Sequence, residues 1–138
     1  MNKMLMGVML LAVMGAAQAR PAFTGTDYSG VYDCTGNDAH TGKYEGKVTL
    51  ALKPEHSYGA YASYDFKLEV PGFGTYLGHA AGNGNHLAMH FALADSKDYG
   101  TGVAVMKKNK QGRLGFHKFY YEPEYEGGNT GTEDCVKQ

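Results

Sequence analysis

The chain of 138 residues has no tryptophan, two cysteines and four prolines, and it carries no excess of either charge, with thirteen Lys and Arg against fourteen Asp and Glu. Each shortage excludes something. Near-neutrality removes the basic footprint that nucleic-acid binding requires, so no nucleic-acid partner is expected. The two cysteines lie outside any C-x-x-C context, which excludes a zinc-ribbon or thioredoxin-like centre. After residue 19 no run is apolar for long enough to cross a bilayer as a helix, so the mature chain is expected to have no membrane span. Helical hydrophobic period, internal repeats and low-complexity tracts are also missing. There is no Gly-x-Ser-x-Gly elbow for a nucleophilic serine. The glycine-rich Gly82-Asn83-Gly84-Asn85 leads into no helix, as a phosphate loop must. No catalytic residue and no cofactor is therefore assigned.

What is present begins with an export signal. Met1-Asn2-Lys3 is a short positive start, Met4 to Gly15 is apolar throughout, and Ala16-Ala17-Gln18-Ala19 supplies small residues in an A-x-A cleavage pattern. A buried helix would carry polar residues on one face, and this segment has none. Residues 1–19 thus read as a secretory signal peptide cleaved after Ala19, and no cysteine follows to take a lipid anchor. Removing nineteen residues leaves 119, enough for one domain with a single core. It removes one lysine and no acid, so twelve basic residues remain against fourteen acids, a charge of −2. The expected location is periplasmic or secreted. In such an oxidising compartment the even pair Cys34 and Cys135 reads as a disulfide closing nearly the whole mature chain.

Residues 20–29 are polar and contain Gly25, and read as a loose N-terminal arm. From residue 30 to 138, short β-like runs alternate with turns. Lys43 to Lys53 is the clearest, with Tyr44, Gly46, Val48, Leu50 and Leu52 on one face and Lys43, Glu45, Lys47, Thr49 and Lys53 on the other. Ser57 to Glu69 alternates again, ending at Pro71-Gly72-Phe73-Gly74. Thr75 to Ala81 and His86 to Ala92 flank Gly82–Asn85, where Gly and Asn accept positive φ. Gly30 to Cys34, Tyr99 to Met106, Arg113 to Glu122 and Thr132 to Val136 complete eight runs. The expected fold is all-β: one small antiparallel barrel of about eight short strands in meander order, closed by one disulfide. A transmembrane barrel is the competing eight-strand reading. It is disfavoured because most runs are shorter than the roughly 9–11 residues of a spanning strand, and because the Lys43–Lys53 run has a charged face.

Candidate chemistry is sparse. His86 and His90 lie about 13 Å apart on a strand at 3.3 Å per residue, too far to share a metal ion. The H-x-x-x-H spacing ligates only on a helix. His79 and His117 can join one of them only if strand register allows, which leaves His79, His86, His90 and His117 as weak metal candidates. A periplasmic metal-binding protein is one alternative function, and an uncharacterised hydrolase another. The most suggestive surface is the aromatic and acidic run through Tyr120, Tyr121, Glu122, Glu124, Tyr125 and Glu126, at a strand end where a barrel mouth falls. Aromatic rings beside carboxylates can clasp a basic protein loop, a cationic ligand or a sugar. The plainer alternative is that Phe116 and Phe119 pack with the barrel and the acids are a solvated loop.

Gly30-x-Tyr32, Gly42-x-Tyr44-x-Gly46 and Gly74-Thr75-Tyr76-x-Gly78 together resemble the avidin and lipocalin-like (calycin) class of small antiparallel barrels. In size, disulfide and compartment the domain is also similar to small periplasmic lysozyme inhibitors. The resemblance implies a non-enzymatic exported protein that holds a ligand or protein partner at the barrel mouth. It assigns no residue roles.

Overall fold

The structure, a computed structural model, describes residues 19–94 and 97–138. The export-signal reading rests on residues that lie almost wholly outside this range. The described chain is all-β. Eight strands follow one another around a closed antiparallel barrel in sequence order: β1 Gly30–Asp38, β2 Gly42–Leu52, β3 Tyr61–Val70, β4 Gly74–Asn83, β5 His86–Ala92, β6 Tyr99–Lys108, β7 Leu114–Glu122 and β8 Asn129–Lys137. Closure pairs β1 with β8, so no sheet edge is left open.

Alternation decides what lies inside. Val48 and Leu50 of β2, Ala62, Tyr64, Phe66, Leu68 and Val70 of β3, and Leu87, Met89 and Phe91 of β5 fill the barrel, as the period-two pattern requires. Large and small residues interlock. A Cβ on Gly36 would fall inside the Tyr44 ring, and one on Gly131 inside the Tyr120 ring, so glycine at these two inward positions makes room for a tyrosine on the neighbouring strand. The disulfide joins Cys34 and Cys135, which face each other directly in the β1–β8 register with Cα atoms 4.0 Å apart. It staples the seam where the first strand meets the last.

Several boundaries differ from the sequence reading. Four strands, β1, β4, β6 and β8, are longer than expected, and all but β5, at seven residues, run to nine to eleven. Strand length therefore does not argue against a membrane barrel, but the faces do. The apolar side points inward, while Asp33, Lys43, Glu45, Lys47 and Lys67 point outward, the reverse of the pattern a lipid-facing wall needs. No helix among the described residues is long and apolar enough to cross a membrane. The run expected from Ser57 starts as a strand only at Tyr61, because Tyr58 and Tyr61 bridge across a turn at Gly59, whose φ is +53°. The Gly82–Asn85 turn narrows to Gly84-Asn85, with Asn83 paired to His86.

The segment read as a loose arm is held in place. Ala22 O accepts from the Gly59 amide, and the Thr24 and Gly25 amides donate to Gly59 O. Tyr28 is buried, its amide donates to the Tyr64 hydroxyl at 3.1 Å, and its carbonyl accepts from the Tyr32 hydroxyl at 2.7 Å. The arm caps the barrel end at which β1 begins. The opposite end is the open one.

Candidate functional site

The open end gathers the last residues of β1, β3, β5 and β7 and the first of β2, β4, β6 and β8, as a meander dictates. Its cavity is small, with room of about 40 Å³ for water-sized occupants, and has aromatic walls from Tyr44, Phe73, Tyr76, Phe91, Tyr120 and Tyr125. Three carboxyl groups, from Asp38, Asp98 and Glu122, converge on it.

Asp38 ends β1 and is heavily coordinated. Its Oδ2 accepts from the Tyr120 hydroxyl at 2.9 Å and from Asn129 Nδ2 at 2.7 Å. Its Oδ1 accepts from the backbone amides of His40 and Thr41, each at 2.9 Å. Burial opposes ionisation, but these donors prevail and hold Asp38 below the ordinary carboxylate range. Asn129 Nδ2 also donates to Glu122 Oε2, so one amide ties two acids together. Glu122 is pushed up to about 7. Burial is the first cause, the hydrogen bond from Asn129 opposes it, and the nearby charges of Asp98 and Asp38 add to it. Asp98 Oδ2 accepts from the Tyr76 hydroxyl at 2.8 Å, whereas its Oδ1 is buried and has no partner among the described residues. Burial, with the carboxylates beside them, pushes Tyr76 and Tyr120 above the usual phenol range.

The floor of the cavity carries a buried ion pair. Lys118 Nζ lies 2.6 Å from Glu133 Oε2, and both side chains are out of solvent, at 1% and 0% exposure. The Tyr44 hydroxyl donates to Glu133 Oε1 at 2.6 Å. The ammonium is close to the carboxylate but has no aligned hydrogen bond, so its stabilisation is chiefly electrostatic. Three ring faces supply more of it: Phe66, Phe91 and Tyr120 have centroids 5.3–5.5 Å from Nζ.

The aromatic and acidic run is divided by the strand's own period. Tyr120 and Glu122 point into the mouth, while Tyr121 points out and is 46% exposed. Phe119 is likewise on the outer wall, so it does not pack inside with Phe116. Beyond β7 the chain turns through Glu126, Gly127 and Gly128, all at positive φ. This turn sets Tyr125 on the cavity rim and leaves Glu124 and Glu126 in solvent. His40 braces the turn. Its Nε2–H donates to Gly128 O at 3.2 Å, and its ring meets Tyr125 edge-on.

The four strand histidines lie on the outer wall. Register sets His79 opposite His90, with ring centroids 5.6 Å apart. His86 lies between Asn83 and Val105, and His117 Nδ1 is 2.8 Å from Asp134 Oδ1. Among the described residues, the three-residue set with metal-ligating groups close enough to share an ion is Cys34, Glu133 and Cys135, and the disulfide consumes both thiols.

Sequence reasoning missed Asp38, Tyr44, Tyr76, Asp98, Lys118, Asn129 and Glu133 as mouth and floor residues. One signal was available. If Cys135 faces inward to meet Cys34, then Glu133, two residues earlier on the same strand, must face inward as well. Comparison of the chain with protein-family models, curated proteins and solved structures finds no match.

Proposed function

We propose that this chain is an exported, non-enzymatic binding protein that holds a cationic group, an ammonium or guanidinium, at the open mouth of the barrel. A leader spanning residues 1–19, cleaved after Ala19, would place it in the periplasm or outside the cell, where the Cys34–Cys135 disulfide is suited to the redox conditions. One observation carries the reading: three carboxyl groups meet in one aromatic-walled cavity, and a buried oxygen of Asp98 has no partner among the described residues. A buried acceptor without a donor costs free energy that an entering N–H group recovers. Tyr76, Tyr125 and Phe73 line the same cavity, and a ring face turned to the cation adds to its binding. The packed interior below, sealed by the Lys118–Glu133 pair, confines the occupant to a single small cationic group.

The test is a titration of the mature protein with Nα-acetyl-arginine amide and Nα-acetyl-lysine amide, with the neutral norleucine analogue as control. The cationic probes bind and the neutral one does not. Asp98→Asn and Tyr125→Ala each weaken binding about tenfold or more, the loss expected for a charge-assisted hydrogen bond or a ring contact. Equal binding of the neutral probe, or affinity unchanged in both variants, overturns the reading.

A hydrolase is favoured by a different observation. Glu122, pushed up to about 7, and Asp38, held low, are two carboxyl groups with opposed protonation, joined through Asn129. Turnover of chromogenic glycosides or esters that disappears in Glu122→Gln would support hydrolysis over holding.

A further inference from the structure

Apart from the mouth, the structure brings together two histidines that the sequence places eleven positions apart. His79 of β4 and His90 of β5 are direct partners in an antiparallel pair on the outer wall, His79 exposed and His90 partly exposed. Directly opposed residues have Cβ atoms about 4.5–5.5 Å apart, so both imidazoles reach a common point above the sheet. The strand geometry that separates His86 from His90 is what unites His79 with His90.

The spacing suits a metal. A nitrogen–zinc bond of about 2.0–2.1 Å puts each ring centroid about 3.2 Å from the ion, so two imidazoles at the tetrahedral angle have centroids about 5.2 Å apart. His79 and His90 stand at 5.6 Å with their rings tilted by 41°. The surroundings carry no net charge. On β3, Asp65 is the register partner of His79, exposed and 3.5 Å from Lys53 Nζ. On β6, Thr101 is opposite His90 and Tyr99 lies one ring away, and neither brings a positive charge. His117 is engaged by Asp134 and is not part of this pair.

From this geometry we infer that His79 and His90 form a surface site for a borderline divalent metal ion of the zinc class, with water completing the coordination. The site is independent of the mouth, because both imidazoles are on the opposite face of the barrel wall from the cavity.

The experiment is calorimetric titration of the tag-free mature protein with Zn²⁺ alone. It predicts one saturable Zn²⁺ per chain. His79→Gln and His90→Gln each weaken binding about tenfold or more, and the double variant abolishes it, since removing one of two protein ligands leaves a single imidazole. His86→Gln and His117→Gln leave the affinity unchanged. Zn²⁺ also shifts the imidazole NMR signals of His79 and His90, a readout that requires no variant. Absence of saturable binding overturns the site, as does affinity that survives the double variant or is lost equally in the His86 and His117 variants.

Discussion

At the scale of single residues, the barrel's most consequential choice is to place Lys118 and Glu133 where an apolar pair would pack. Burying two charges costs several kcal/mol each, and their attraction offsets this only while both are present. Lys118→Met is therefore expected to lower stability by about 3–5 kcal/mol, because it strands the Glu133 carboxylate in a dry interior. The double variant Lys118→Met/Glu133→Leu is expected to recover most of that loss. Urea unfolding of the three proteins checks this, and additive losses would show that the two residues do not act as a pair.

Glu122 makes a second residue-scale prediction. Its folded-state value of about 7 lies above its ordinary 4.5, so the folded chain holds this proton more tightly than the unfolded chain. Stability contributed by protonated Glu122 is present below about pH 4.5 and declines as pH rises to about 7, by roughly 1–3 kcal/mol. Asp38, which is shifted downward, affects stability only in more acidic solution. Unfolding midpoints at pH 5 and pH 8 should therefore differ in the native chain and converge in Glu122→Gln. A midpoint that rises with pH in the native chain would contradict this account.

At the scale of elements, the seam between β1 and β8 depends most on covalent help, because it joins segments about a hundred residues apart. The disulfide spans a sequence separation of 101, for which the chain-entropy estimate is about 4–5 kcal/mol. Replacing both cysteines with alanine should lower unfolding free energy by about that amount, and a loss under about 1 kcal/mol would show that the strand pairing holds the seam unaided.

The elements also differ in how far their sequences reveal them. In β2, β3 and β5 one face is apolar and the other polar, so the inward set could be read directly. In β6 the inward set is Gly100, Gly102, Ala104 and Met106, while Val103 and Val105 face out, and β-branched residues on the wet side conceal the register. In β7 aromatics occupy both faces, and the inward set includes a lysine and a glutamate. Those charges become intelligible only once β8 is beside them. The mouth was half legible for the same reason. Tyr120, Glu122 and Tyr125 are adjacent in sequence, but Asp38, Tyr76 and Asp98 reach the mouth from three other parts of the chain. The arm at residues 20–29 looked loose because its few anchors, Tyr28 above all, bond to groups some thirty residues away.

At the scale of the whole molecule, the barrel has one capped end and one open end. The capped end is closed by the arm through Tyr28, Tyr32 and Tyr64. The open end concentrates acid and aromatic groups in a chain that is otherwise near neutral. An electrostatic feature of this kind is local, so it gives selectivity for a cation at short range more than long-range steering. The most direct measurement of the central claim is an NMR titration of the mature protein with Nα-acetyl-arginine amide at pH 8. The account predicts saturable shifts confined to the mouth, at the Tyr76 and Tyr125 rings and the amides of Asp98 and Glu122, with the capped end unmoved. Shifts that are absent, or spread evenly over the outer wall, would contradict it.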